Sequence, residues 1–257
     1  MSYDPNVPPV PPVPPTGPEA ALPYQAPPTE THPLPVGEAI RQLPAKYWQA
    51  VSKPGAGFYA EEKGRAAWDI TWVQIAFLAI LSAIFTIIIY NLVVPAMIAD
   101  FVLPSIRSNP SIPPERLALI QQQITASIQA SSISSSLSNL ISVPLGLFIG
   151  VGILHLIAKA FRGTGTFVQY MYGYLLFGVP LSVAGYILAL IPILGWFLAG
   201  VLGIYHVVLT IFMTMGVHRL SGGKATLVVL LPFIVVLALS CIIFFIVVAA
   251  IAGSMHR

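Results

Sequence analysis

Two histidines stand inside long uncharged stretches of this 257-residue chain, where an ionisable side chain is costly. Apart from tyrosine and cysteine, His155 and His206 are the only ionisable groups deep in such stretches. Two readings stay open: the two histidines meet, or each remains neutral and bonds a serine or a backbone carbonyl. Two histidines without a third ligand make a poor zinc site, so no metal or other cofactor is expected.

Two basic loops carry the other candidate side chains. Arg162 lies in the first loop, and Arg219 and Lys224 lie in the second. The Gly-Gly-Lys run ending at Lys224 fails as a phosphate-binding loop, because the required first glycine falls at His218 and the hydroxyl residue at Ala225. Arg162 is a candidate functional residue, and Arg219 and Lys224 with the local backbone N–H groups are candidates for binding lipid phosphate; the alternative is that these cations only orient the chain in the membrane.

Carboxylates are missing from more than half of the chain. All nine acidic residues lie at or before Glu115. Proton relays and most hydrolytic sites need a carboxylate, and no nucleophile motif stands in the apolar part. We therefore expect no enzymatic activity, and we expect no nucleic-acid partner. The single cysteine, Cys241, is interpreted as a small packing residue.

The elements that must position these residues are membrane helices. The chain is 56% hydrophobic and only 8% charged, whereas a soluble domain carries about 25% charged residues. About 20 apolar residues cross a bilayer core of about 30 Å. The sequence predicts an all-α polytopic membrane protein with five spans within residues 69–252. The predicted spans are 70–94, 140–158, 167–191, 196–217 and 225–251.

The positive charges predict the orientation. With the N-terminus in the cytosol, five spans leave the C-terminus outside. Nine lysines and arginines then lie inside and three lie outside, which agrees with the positive-inside rule. The only long outside loop begins a helical pattern at Pro113-Pro114-Glu115, and we predict an extracytosolic amphipathic helix over about 114–130.

The N-terminal part divides into a tail and a linker. Residues 1–35 hold 13 of the 24 prolines, and three Val-Pro-Pro units run from Val7 to Pro15. We predict a disordered Pro-rich cytosolic tail over 1–36, acting as a spacer or docking in aromatic-lined grooves of other membrane or cytosolic proteins. Residues 37–68 mix aromatic and basic side chains, and we predict a short amphipathic segment on the lipid surface or a plain linker.

Three stretches together resemble the bacterial branch of the Yip1-domain family over about residues 45–250. They are Trp48 to Phe58, then Phe161 to Phe167 with Tyr172-Gly173-Tyr174 and Pro180, and finally Gly216 to Ala225. The resemblance implies five membrane helices, a cytosolic N-terminus and a bacterial plasma membrane. It makes Tyr172, Gly173 and Pro180 candidate functional residues.

The eukaryotic relatives in this family are adaptors for Rab GTPases and for vesicle formation. The present chain lacks an acidic Asp-Leu-x-Gly-Pro-like run before its first span, so Rab binding is not expected. We predict a non-enzymatic membrane scaffold or adaptor that contacts lipids and partner proteins. The alternative is a small transporter or channel subunit with His155 and His206 in its interior.

Overall fold

The structure, a computed structural model, describes residues 33–108 and 112–255, with side chains except at 114 and 248–255. Every regular element in these residues is helical. The helices are α1 (Val36–Ser52), α2 (Ala56–Glu62), α3 (Trp68–Ile88), α4 (Val94–Met97), α5 (Leu103–Arg107), α6 (Pro114–Ala160), α7 (Phe167–Leu188), α8 (Leu194–His218) and α9 (Gly222–Met255). The tail predicted over 1–36 lies outside the described residues except for its last four.

Five stretches are long and apolar enough to cross a membrane, which confirms the predicted fold class. They are Trp68–Arg107, Glu115–Ala160, Phe167–Leu188, Leu194–His218 and Gly222–Val247. Successive spans run in opposite directions. The N-termini of α3, α7 and α9 therefore lie at the same end of the bundle as the C-termini of α6 and α8. We call this end of the bundle, with α1, α2 and the loops 161–166 and 219–221, the entry face; the opposite end is the far face.

The first span continues past Pro95, where the sequence predicted that it would close. Proline removes a backbone donor and clashes with the carbonyl four residues earlier. For Pro95 and Pro104 that earlier residue lies in a π-helical turn, Ile89–Val93 or Ile98–Val102. The wider turns absorb the clash, so the chain stays helical from Trp68 to Arg107.

The second span and the helix predicted separately over 114–130 form one continuous helix, α6, of 47 residues. The serine-rich stretch between them is helical, and the Ser136 hydroxyl donates to the Ser132 carbonyl one turn back without interrupting the helix. At about 1.5 Å per residue, α6 is roughly 70 Å long, more than twice the bilayer core. It therefore extends past the membrane on the far face.

Helix α6 pairs with the first span, and polar bonds join the two. Asn139 donates to the Thr86 hydroxyl at 2.8 Å, and Asn91 donates to the Ser132 hydroxyl at 3.1 Å. Close to lipid, such bonds satisfy polar groups that would otherwise stay unpaired. The two helices form an antiparallel hairpin.

Helix α7 is the centre of the bundle. Its residues Tyr170 to Val179 are largely buried against α1, α3 and α8. By contrast, α9 exposes apolar side chains from Phe233 to Val247, as a helix facing lipid does. A capping box starts α7: Thr166 accepts from the Gln169 backbone, and the Gln169 side chain accepts from the Thr166 backbone.

The linker segment is folded onto the bundle. A single helix, α1, passes through Pro44. It packs on α7 and α3 with Leu43 and Ala50 buried, while Trp48 stays 74% exposed. Helix α2 packs on α8 and returns the chain to the start of α3. Residues 36–62 thus form a helical hairpin on the entry half of the bundle.

Candidate functional site

A polar stripe runs along the face of α8 that meets α7. Four of its residues recur at every fourth position: His206, Thr210, Thr214 and His218. The hydroxyls of Thr210 and Thr214 donate to the carbonyls of His206 and Thr210, at 2.8 and 2.7 Å. Two α7 tyrosines face the stripe. The Tyr170 hydroxyl bonds Thr214 at 2.8 Å, and the Tyr174 hydroxyl bonds His206 at 2.9 Å.

The two histidines singled out from the sequence do not meet. His155 on α6 instead bonds His218, with 3.2 Å between Nδ1 of His155 and Nε2 of His218. The Tyr170 ring lies against both imidazoles, at centroid distances of 5.9 and 4.8 Å. Each histidine therefore has a polar partner, as the low polarity of the interior requires.

His218 is fully buried at the last turn of α8 and is enclosed by the first basic loop. A Cβ placed on Gly163 would lie 2.6 Å from its Nδ1, and one on Gly165 would lie 2.7 Å from Val217. The Thr164 backbone donates to the His218 carbonyl at 3.2 Å. These glycines are needed because the loop backbone touches the imidazole, and this contact ties the two basic loops together.

Both basic loops leave their helix through an arginine in the left-handed conformation. The φ angle is 66° at Arg162 and 54° at Arg219. After α6, bonds from Gly163 to Ala158 and from Arg162 to Lys159 complete a Schellman cap. Glycine is the usual residue there, so both positions hold a large cation at some cost in backbone strain. Arg162, Arg219 and Lys224 are all exposed on the entry face.

A buried carboxylate lies between the α1–α2 hairpin and the bundle. Glu62 is 4% exposed and accepts from Lys46 at 2.5 Å and from Arg65 at 3.3 Å. Arg65 also reaches the Gln42 side chain at 3.5 Å. Tyr172 of α7 lines the small cavity around these charges. The ion pairs join α1, the end of α2 and the start of the first span at one point.

Further contacts fix the hairpin along its length. The Tyr47 hydroxyl donates to Gln74 of α3 at 3.1 Å, and the Tyr205 hydroxyl of α8 donates to the Val51 carbonyl. A Cβ on Gly216 would lie 2.3 Å from the Ala56 carbonyl, so α2 approaches the α8 backbone directly. Burial, with the nearby Tyr205 phenol, raises the pKa of Tyr59.

The three candidates taken from the family resemblance lie on α7 but serve different contacts. Tyr172 is 4% exposed beside the Glu62 cluster. Gly173 allows Met213 of α8 to approach, since a Cβ there would lie 3.1 Å from its Cγ. Pro180 lines an apolar groove of about 510 Å³ together with Trp48 and Tyr205. The structure therefore distributes these residues along the α7 contacts with α1, α2 and α8.

His218, Glu62 and Lys63 are not among the candidate residues that the sequence indicates. His218 could have been found from the four-residue spacing on α8, whereas Glu62 carries no local signal because Lys46 lies 16 residues away. Among the described residues, no group of three or more histidine, cysteine, aspartate or glutamate side chains is arranged to hold a metal ion.

Comparison with known proteins supports the family resemblance. The Yip1 domain model matches residues 48–253, from the second half of α1 to the last helix. No curated protein and no solved structure gives a significant match. Because the family match covers well over half of the 257 residues, this chain is an integral membrane protein that belongs to the Yip1-domain family.

Proposed function

We propose that this Yip1-type membrane protein is a non-enzymatic scaffold or adaptor that recruits partners or organises the membrane at its entry face. The observation that carries the proposal is the α1–α2 hairpin, held on the bundle by the buried Glu62 ion pairs and by close backbone packing at Gly216. The hairpin gives residues 1–32 a fixed point of attachment beside the membrane. A Pro-rich arm on a rigid base suits recruitment better than catalysis.

The orientation belongs to the same proposal. We place the entry face in the cytosol of a bacterial plasma membrane, because nine of the twelve lysines and arginines then lie on the cytosolic side. The arm would be available to cytosolic proteins and to the cytosolic ends of other membrane proteins. Lipids contact the apolar surfaces of the five spans.

Cross-linking in native membranes, followed by mass spectrometry, tests the role of the arm. We would compare the full chain, a chain lacking residues 1–35, and a full-length variant in which Val7, Val10 and Val13 are serine. The proposal expects the same partners to be lost from both altered chains, because the valines line one edge of a polyproline helix. Identical partners for all three chains would exclude recruitment through the arm.

A small transporter or channel subunit is the second candidate, and the polar stripe on α8 favours it. Buried hydroxyl and imidazole groups in membrane helices often mark a solute or proton path. Flux through liposomes containing the purified chain, with His155→Ala and His206→Ala as variants, distinguishes the two candidates. Flux that both substitutions abolish would favour transport, and no flux across a broad panel of solutes would favour the scaffold.

A further inference from the structure

A cleft of about 570 Å³ lies between α7, α8 and the middle of α9. Helix α9 packs on its neighbours near its start, through Ala225 and Val228, whereas its side chains from Phe233 to Val247 are exposed. The cleft is bordered by Phe233, and its walls are mostly small or apolar residues. Ser182 of α7 and His206 of α8 are the polar side chains in its described lining.

Both polar side chains have hydrogen-bonding capacity that the protein leaves unused. The Ser182 hydroxyl makes no hydrogen bond with any residue in the described part of the chain. His206 bonds the Tyr174 hydroxyl through Nε2, and its Nδ1 has no such bond. Neither the Ser182 oxygen nor Nδ1 of His206 is among the fully buried unpaired atoms of the described residues. Both atoms are therefore accessible to a molecule in the cleft.

The two groups lie at nearly the same depth, close to the middle of the membrane. A Cβ on Gly185 would lie 3.8 Å from Leu202 of the antiparallel α8. In this register Ser182 is level with residue 205, within about 3 Å of His206 along the helix axis. His206 is central in Leu194–His218, about 18 Å from either end. The headgroups lie about 15 Å from the centre of the bilayer core, so they do not reach this depth.

A carbonyl group on an apolar molecule fits these donors. The Tyr174 hydroxyl can donate to Nε2 of His206, which places the hydrogen of the imidazole on Nδ1. His206 and Ser182 then each present a donor to the cleft, and one carbonyl oxygen can accept from both. The Phe233 ring, 59% exposed, can pack against a flat ring. Membrane-soluble quinones combine a flat ring that carries carbonyl groups with an apolar tail.

We propose that Ser182 and His206 bind a ring carbonyl of a membrane-soluble quinone in this cleft. The ring lies beside Phe233, and the apolar tail extends toward lipid past the exposed half of α9. The quinone is bound unchanged. The site lies at the middle of the spans, so it does not depend on the Pro-rich arm or on recruitment of partners at the entry face.

Thermal unfolding of the full chain in maltoside micelles tests the proposal. Decylubiquinone is added in one arm and dodecylbenzene, which has an apolar ring and tail but no carbonyl, in the other. Decylubiquinone should raise the melting temperature because it binds the folded chain, and dodecylbenzene should not. No rise with the quinone overturns the proposal, and so do equal rises with both compounds, which would show that the cleft selects apolar bulk alone.

The variants show whether the Ser182 hydroxyl is responsible. Ser182→Ala should weaken the response roughly tenfold in quinone concentration, whereas Ser182→Thr keeps the hydroxyl and should retain the response. The matched control is Ser142→Ala, at an exposed serine of α6 that lines a neighbouring cleft. An equal loss in Ser142→Ala would overturn the site. So would a Ser182→Ala chain that melts well below the unmodified chain without quinone, because the hydroxyl would then already be bonded within the protein.

Discussion

Glu62 and Lys63 are neighbours in the chain, equally buried and opposite in charge, yet their surroundings differ completely. Glu62 lies between two cations, Lys46 and Arg65, which come from both sides of the α1–α2 hairpin. Burial, and secondarily the charge of Arg219, lower the pKa of Lys63. Glu62 has two cationic partners, although its Oε2 makes no hydrogen bond within the described residues, whereas Lys63 has no anionic partner there.

A buried charge that has partners and a buried charge that has none should respond differently to substitution. Removing one partner of a buried ion pair leaves the others uncompensated, so the Glu62 region should be sensitive to substitution. Removing a cation that already lacks a partner should cost little or nothing. The hairpin is thus held by the Glu62 ion pairs and by close packing, to which Lys63 adds no ion pair in the described part of the chain. Four predictions test this division.

Gly216→Ala should have the largest effect, because its Cβ would overlap the Ala56 carbonyl and displace α2 from α8. We expect a loss of about 3 kcal/mol in the free energy of unfolding, measured by chemical denaturation in micelles. Gly200→Ala is the control on the same helix, since a Cβ there has nothing within 4 Å, and it should be neutral or slightly stabilising. Equal effects would show that α2 is not packed on α8.

Glu62→Gln should have the second largest effect, a loss of about 2 kcal/mol in the free energy of unfolding. Breaking a fully buried pair costs more, but Lys46 and Arg65 are partly exposed and water compensates them in part. Glu61→Gln is the matched control, because Glu61 is exposed and lies next in the chain; it should change stability by less than about 0.5 kcal/mol. A Glu62→Gln chain as stable as the control would show that the Glu62 ion pairs do not stabilise the folded protein.

Lys63 should show its effect in the pH dependence of stability. Its pKa in the folded chain lies below the ordinary value of 10.5. Between the two values the unfolded chain binds more protons, so this group makes the folded chain more stable as the pH rises toward 10.5. Subtracting the stability curve of Lys63→Met from that of the unmodified chain isolates the contribution. A difference that falls with rising pH would mean that Lys63 has an anionic partner in the protein.

Arg162→Gly should have the smallest effect, and in the opposite direction. Glycine adopts the left-handed conformation without strain, so we expect a gain of about 0.5–1 kcal/mol in the free energy of unfolding. Arg162→Ala retains the strain and removes the same charge, so the difference between the two variants reports the backbone alone. No difference between them would show that φ at this position carries no cost.

The five spans could be predicted because lipid demands long apolar runs, and those runs are visible without knowledge of any contact. The continuity of α6 could not be predicted, because serine and glutamine are ordinary loop residues and the contacts with the first span, such as the Asn139–Thr86 and Asn91–Ser132 bonds, join residues far apart in the sequence. The extension past Pro95 depends on π-helical turns, which have no simple sequence pattern.

The functional residues also divide into those that the sequence indicates and those that only the fold reveals. His155 and His206 were found because a histidine is conspicuous among apolar residues, but their partners come from other helices and only the fold selects them. His218 was overlooked because it adjoins a basic loop. Glu62 and Lys63 belong to a segment for which the sequence predicts either a position on the lipid surface or a plain linker, and their burial arises from the docking of α1 and α2 on the bundle.

Hydrogen–deuterium exchange of the full chain in lipid nanodiscs tests the attachment of the hairpin most directly. Peptides from α1 and α2 should exchange as slowly as those from the centre of α7. In Glu62→Gln they should exchange faster, while α9 and the Glu61→Gln control remain unchanged. Rapid exchange of α1 in the unmodified chain, or equal protection in Glu62→Gln, would contradict a hairpin held by its buried ion pairs.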